Sequence, residues 1–212
     1  MPETSAAKAD PVPKTRRRKD ARPAEIIAAS MVEFRDHGFE RARLDRIAKS
    51  AGIAKGTIYL YFESKEVLFE EAVRTYILSS IDAADENMKG FDGPTSELIE
   101  RLLRIFYEKL AAGHAQTVMR ILVSEGDRFP DLSKRYHDIV IKRGLTVLTA
   151  IIQRGIDRGD VKEGPMTETP ELLIAPSMFF VVHQMVFSQH HPLDLDDFFR
   201  GHVDMLMRAL KG

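Results

Sequence analysis

Apolar side chains recur at helical spacing along nearly the whole of this chain. Ile26, Ile27, Ser30, Met31 and Phe34 form a first stripe. Pro23, whose missing N–H does no harm in a first helical turn, opens it, and Gly38, which can take a left-handed backbone, closes it. Leu44, Ile47, Ala48 and Ala51 form a second, shorter stripe that ends at Gly52. Lys55 to Tyr61 then predict a third short helix, with Ile58 and Phe62 facing inward. Ser64 offers a capping oxygen to a fourth helix, which starts at Lys65 and carries Leu68, Phe69, Val73, Tyr76 and Ile77 into the 80s.

Lys89 to Pro94 break the pattern, and helices follow from Thr95 to about Ala112 and from His114 to Ser124. Phe129-Pro130-Asp131 is a turn, after which Leu132, Tyr136, Ile139, Val140, Val147, Ile151 and Ile152 mark one long helix to about Arg158. A loop over 159–169 leads to two last helices, at about 170–190 and 194–210, separated by His191-Pro192, with Asp194 as the cap of the second. No run alternates with the period of a strand, so the fold class is all-α, with about nine helices.

Charge divides the chain unevenly. Residues 1–62 hold 13 Lys and Arg against 8 Asp and Glu, a net +5, while the remainder carries −6. A basic end on an acidic body suggests that one end meets a polyanion. Residues 1–21, with the run Lys14-Thr15-Arg16-Arg17-Arg18-Lys19, have too few large apolar groups to offset ordering and read as a flexible basic tail. That tail either tracks a groove of such a polyanion or is simply solvated. The chain has no cysteine, which excludes disulfides, thiol catalysis and cysteine-ligated zinc. Its most apolar segment, 172–187, is too short for a bilayer, so no membrane is expected and the cytoplasm is the expected compartment.

The segment from Gly38 to Lys65 carries the chemistry. Two short helices joined by Ala51-Gly52-Ile53 make a helix-turn-helix over 44–62: Gly52 permits the reversal, Ala48 is small at the crossing, and Ile47, Ile53 and Ile58 fill the shared core. The outer face of the second helix is then free to enter a major groove. Phe34, Gly38-Phe39, Ile47-Ala48, Ala51-Gly52-Ile53, Gly56-Thr57-Ile58-Tyr59, Tyr61-Phe62, Lys65 and Leu68 together resemble the tetracycline-repressor (TetR) family of bacterial regulators, over residues 23–70. The resemblance implies a homodimer that reads a pseudo-palindromic site in double-stranded DNA through its third helix. It also implies a small-molecule effector, bound in the C-terminal region, that tilts the fourth helix and releases the DNA. It divides the chain into a DNA-binding domain, 22–82, and a ligand-binding and dimerisation domain, 83–212.

Carried over position by position, the DNA-facing residues are Lys55, Gly56, Thr57, Tyr59, Leu60, Tyr61 and Lys65. Lys65, at the start of the fourth helix, would meet a phosphate together with free backbone N–H groups. The chain departs from the family at Ala42-Arg43, where short hydroxyl residues are common. Arg43 lacks a capping oxygen for the second helix, Asp45 is placed to compensate through the helix dipole, and Arg43 and Arg46 become candidate DNA contacts themselves.

Leu172 to Phe187 are apolar on every face and must be covered on every face. Either the segment is a central core helix, or its outer side packs on a second copy. For the second arrangement the interface residues are Phe180, Gln184, Phe187, Phe198, Phe199, His202, Met205 and Leu206. Candidate walls of a deformable ligand pocket are Phe106, Met119, Leu122, Phe129, Tyr136, Met178, Phe179 and His183, and a hydrophobic effector is expected. His190, His191, Asp194, Asp196 and Asp197 crowd one loop, but near-consecutive residues rarely converge on one centre, so no metal and no cofactor is expected. Two rival classes fare worse. A di-metal bundle enzyme needs paired Glu-x-x-His motifs that are missing, so no catalytic residues are assigned, and a protein-only adaptor leaves the basic, Tyr-rich third helix without a purpose.

Overall fold

A computed structural model of the protein describes residues 14–211, with side chains from 21 to 210. Nine helices and two single helical turns make up the described residues, and no strand occurs among them. Helix α1 is Lys14–His37, α2 is Leu44–Ser50 and α3 is Lys55–Ile58. Helix α4 runs as Lys65–Val73, passes through a π-helical turn at Arg74–Leu78 and continues as Ser79–Lys89. Helices α5, Thr95–Ala111, and α6, His114–Glu125, follow. Helix α7 has the same build as α4: Pro130–Tyr136, a π-helical turn at His137–Ile141, then Lys142–Asp157. Single turns at Pro165–Glu168 and Pro170–Leu173 lead to α8, Ala175–Val186, and α9, Leu195–Lys211.

Two helix boundaries differ from the sequence reading. Helix α1 begins at Lys14, so Pro23 lies inside it rather than in its first turn. The Lys, Arg and Ala of 14–22 are strong helix formers, and they extend the helix back past a proline that removes only one backbone donor. The rest of the proposed tail, 1–13, lies outside the described residues. The segment expected as one helix over 170–190 is a 3₁₀ turn followed by α8, because Pro176 near the start of α8 cannot donate to a preceding α-helical turn. The domain boundary read at 82 falls inside α4, which is unbroken there.

Two cores result. The first gathers Ile26, Phe34, Phe39, Ile47, Ile58, Leu68 and Phe69, and also takes Val118 and Ile121 from α6 and Leu132 and Val140 from α7. Within it Phe39 meets Phe34, Phe69 and Phe129 at ring centroid separations of 5.9, 5.7 and 5.3 Å. The second gathers Leu98, Leu103 and Tyr107 of α5, Val147 and Ile151 of α7, Phe180 of α8, and Phe199 and Leu206 of α9. Ile81 of α4 packs against both. The π-helical turns of α4 and α7 lie against one another, and Arg143 on α7 pairs with Asp82 and Asp85 on α4 at 3.1 and 2.9 Å.

Candidate DNA-reading head and ligand cavity

The reading head is built on the turn at Gly52, whose φ of +64° lies in the left-handed region that favours glycine. Ile53 N–H donates to the Ala48 carbonyl at 3.0 Å and closes the turn, while buried Ile47, Ala48 and Ile58 lock α2 against α3. Helix α3 is a single α-helical turn, shorter than the expected Lys55 to Tyr61. Leu60 and Tyr61 instead donate to the carbonyls three residues back. Burying Ile58 turns the opposite side outward. Lys55 and Gly56 are exposed, Tyr59 and Leu60 are 51% and 81% exposed, and Thr57 and Tyr61 are half-buried at the margin. A Cβ at Gly56 would meet nothing within 4 Å, so the surface there is open to close approach.

Three of the proposed DNA contacts have work inside the protein. Lys65 donates to the carbonyls of Glu40 at 3.0 Å and Ala42 at 3.4 Å and sits 4.6 Å from the centre of the Phe39 ring. Burial lowers its pKa. It therefore pins the α1–α2 turn through two of the turn's carbonyls. The backbone of α4 is capped as expected, with Val67 N–H donating to Ser64 Oγ at 3.2 Å. Arg46 is turned back toward α1, donating to Glu33 at 2.7 Å and to the Arg41 carbonyl at 2.7 Å. Arg43 is exposed and paired with Asp45 at 3.0 Å. The acceptor for the start of α2 is neither of these but Glu33, whose carboxylate takes the Arg43 N–H at 2.9 Å. Burial raises the Glu33 pKa, but the Arg46 hydrogen bond, the Arg43 N–H and the charges of Arg46 and His37 outweigh it and hold the carboxyl below the usual range.

A second anchor joins the head to the body. The Glu125 carboxylate, at the end of α6, accepts the N–H groups of Phe39 at 2.8 Å and Glu40 at 2.6 Å. Gly38, at φ +72°, is required twice over, since a Cβ there would also lie 2.5 Å from the Glu125 carboxylate. Arg128 pairs with Glu40 beside it. Sequence reasoning missed Glu125, because its partners lie more than eighty residues away and are backbone atoms that leave no side-chain signature.

Between α4, α5, α6, α7 and α8 lies a cavity of about 240 Å³. Phe106, Met119, Tyr136 and Met178 line it, as the sequence proposed, joined by Ile77, Ser80, Ile81, Leu103, Gly144, Leu148 and Ile174. Most of the residues missed are plain aliphatics on α4, α5 and α7, indistinguishable in sequence from ordinary core, and Ser80 carries no sequence signal of its own. Burial pushes the Tyr136 phenol up to about 12, so it stays a neutral donor. No Lys, Arg or His is among the lining residues, and Glu171 is their one carboxylate. The other four proposed walls lie elsewhere. Leu122 and Phe129 pack on the first core, Phe129 edge-on to Phe39. Phe179 is 57% exposed, and His183 is buried among Phe179, Phe187 and His191.

The proposed interface residues divide in the same way. Phe180, Phe199, His202 and Leu206 are buried within the protomer, where Tyr107 Oη lies 3.0 Å from His202 Nδ1 and Arg104 covers the Phe199 ring. Gln184 donates to the Leu193 carbonyl at 3.2 Å, and Phe198 packs on the second core. Phe187 and Met205 are exposed, and with Phe179, Val182 and Val186 they make an uncovered apolar face on α8 and α9. In the His- and Asp-rich loop, Asp194 caps α9 by accepting the Asp197 N–H at 2.9 Å, and Asp196 pairs with Arg104.

Residues 26–72 match a family model described as bacterial regulatory proteins of the tetR family, and residues 93–206 match a tetracyclin repressor-like C-terminal domain. Among curated relatives, the fatty acid metabolism regulator protein of Bacillus subtilis is 28% identical over 148 residues, covering 69% of this chain and 75% of that one. The uncharacterised regulator YfiR of the same organism is 30% identical over 151 residues, covering 69% and 71%. Among solved structures, FadR from Bacillus subtilis in complex with stearoyl-CoA superposes with a TM-score of 0.73 at 23% identity, covering 88% of this chain and 98% of that one. FadR from Bacillus halodurans gives a TM-score of 0.76 at 21% identity, covering 88% and 94%.

Proposed function

We propose, from the premise that the chain belongs to the tetR family of bacterial regulatory proteins, that it represses transcription as a homodimer and releases DNA when an apolar, acyl-chain-like molecule enters the cavity. One observation carries the reading: α4 is a single helix whose first half packs in the reading-head core through Leu68, Phe69 and Val73 and whose second half walls the cavity through Ile77, Ser80 and Ile81. A ligand that moves the second half must move the first, and with it the spacing of two reading heads on DNA.

The DNA face in this proposal is Lys55, Gly56, Thr57, Tyr59, Leu60 and Tyr61, with Arg43 at its edge, and Lys65 and Arg46 serve as internal braces. The partner copy covers Phe179, Val182, Val186, Phe187 and Met205, since a cluster of exposed large apolar side chains on two adjacent helices marks an interaction surface. Gly201 supports this. It lies exposed in the middle of α9, four residues before Met205, where alanine would favour the helix by ~1 kcal/mol, and a close helix contact gives glycine a reason. The relative named a fatty acid metabolism regulator, and the similar fold that holds stearoyl-CoA, favour an acyl chain as the occupant of the cavity.

The test is fluorescence anisotropy of DNA flanking the protein's own gene, over a range of salt and with added stearoyl-CoA. Sequence-dependent binding that weakens steeply with salt and is lost on adding stearoyl-CoA supports the proposal. A genome-wide selection that enriches no fragment would sink it.

A further inference from the structure

Resting on the reading of the cavity as the ligand site, we infer that its natural ligand is not a plain hydrocarbon chain. It carries an uncharged hydroxyl or carbonyl group within its buried part, and Ser80 is the residue that reads it. Ser80 lines the cavity, is only 8% exposed, and its Oγ has no hydrogen-bond partner. A helical serine normally returns its hydroxyl to a carbonyl one turn back, as Ser79 does to Thr75 at 2.7 Å. Ser80 does not, and a buried hydroxyl left unpaired is unfavourable unless something else supplies the bond. Apart from the Tyr136 phenol and Glu171 the lining side chains that could reach it are apolar, such as Ile77, Ile81, Leu103 and Leu148, and none of the lining groups bonds Ser80 Oγ, so the partner is assigned to the ligand.

The same lining sets the charge of that group. A buried carboxylate on the ligand would face no Lys, Arg or His to pair with, and the one charged lining residue, exposed Glu171, has the wrong sign. Unpaired burial of a carboxylate is far more costly than that of a hydroxyl. The class of ligand is therefore a long apolar skeleton, esterified or otherwise neutral where it is buried, with one hydroxyl or carbonyl at the depth of Ser80. Because Ser80 is on α4, two residues beyond the π-helical turn at Arg74–Leu78, a hydrogen bond to it acts on the helix that carries the reading head.

The experiment is calorimetric titration of the full-length protein with stearoyl-CoA, with a positional series of monohydroxystearoyl-CoA thioesters and with free stearate. In the wild type, one positional isomer binds about three- to tenfold tighter than stearoyl-CoA, the worth of one added hydrogen bond, and stearate binds weakest. Ser80→Ala brings the ratio between that isomer and stearoyl-CoA to about one, and Ser80→Thr, which keeps a hydroxyl, preserves it. Overturning results are a wild type that prefers stearoyl-CoA to every isomer, or a preference that survives Ser80→Ala. Both would leave the cavity reading standing if stearoyl-CoA binds. If no thioester binds the wild type, the cavity reading itself fails and takes this inference with it.

Discussion

The two cores of this protein are packed to opposite purposes. Around Phe39 the reading head is filled: three aromatic rings meet it within 5.9 Å, and Ile26, Ile47, Ile58 and Leu68 are fully buried beside them. Around Ser80 the body leaves a cavity of about 240 Å³ between helices that are otherwise well covered. A close-packed interior transmits displacement because it does not absorb it, whereas a void lined by flexible aliphatics can change shape. Reader and sensor thus differ in compliance, although both are made of apolar helices. The first core also draws Val118, Ile121, Leu132 and Val140 from α6 and α7, so the stiff region extends to the edge of the soft one.

The sharpest way to break this contrast is to hollow the head. Phe39→Ala removes a fully buried ring and should destabilise the protein by about 3–5 kcal/mol, read as a shift in urea midpoint. The matching change in the sensor goes the other way. Ala115→Leu adds bulk on the cavity wall, where there is room, and should leave stability within about 1 kcal/mol of wild type while removing the response to stearoyl-CoA. Comparable losses from both substitutions would mean that the cavity is closed in solution and that the two cores do not differ.

A smaller effect is expected at the joint. The Glu125 carboxylate takes two backbone N–H groups of the α1–α2 turn, and its helix, α6, lines the cavity with Ala115 and Met119. Glu125→Gln turns an amide N–H toward a backbone donor and should cost about 1.5–3 kcal/mol of coupling between body and head. The informative readout is the ratio of DNA affinity with and without effector, which should shrink toward one. If that ratio is unchanged while stability falls, Glu125 is a structural brace only and α4 carries the signal alone.

Glu125 also shows where sequence reasoning reaches its limit. The nine helices, the Gly52 turn, the Ser64 cap and the outward side of α3 were legible because each is set by residues within a few positions of one another. The cavity was half legible. Aromatic and methionine side chains draw attention to Phe106, Met119, Tyr136 and Met178, but the remaining wall is mostly aliphatic and becomes a wall only when five helices converge. Which residues of α8 and α9 stay exposed was hidden for a related reason. Along α8 and α9 every face is apolar, and periodicity alone does not say that Phe180 and Phe199 turn to Tyr107 while Phe179 and Phe187 turn away. Lys65 and Arg46 read as DNA contacts in the sequence because a cation on a reading head is a natural phosphate ligand, and their internal acceptors, which the proposal gives priority, are visible only in the fold.

That reassignment separates two variants by their readout. Tyr59→Phe removes one exposed phenolic hydroxyl and should lower operator affinity about tenfold with no change in stability, the worth of one charge-assisted hydrogen bond to a phosphate. Lys65→Met should instead lower stability, since it frees the carbonyls of Glu40 and Ala42, and should affect DNA binding only through the loosened turn. Should Lys65→Met leave the unfolding curve unmoved and still abolish binding, Lys65 would be a DNA contact after all.

The finest distinction between the regions is their response to acid. In the head, Glu33 is 8% exposed and bridges α1 to the start of α2 through the Arg43 N–H and the Arg46 guanidinium. Its folded pKa lies below that of an unfolded glutamate, so the native state binds the proton less readily than the unfolded chain. The stabilisation is therefore complete above the ordinary glutamate value, about 4.3, and is lost as pH falls below it through the folded value. Since Arg46 is itself partly exposed, water screens the pair and its worth is about 1 kcal/mol. The cavity lining has no such buried ion pair, with Glu171 its only ionisable carboxylate. Mild acid should accordingly weaken DNA binding before it weakens binding of stearoyl-CoA, and Glu33→Gln should be slightly less stable near neutrality with a flatter decline below about pH 4.5. The same slope in wild type and Glu33→Gln would place the acid sensitivity elsewhere, with Glu70 next in line. That carboxyl is also held low by Arg74 and Arg135 against the effect of burial, and it ties α4 to α7 rather than α1 to α2.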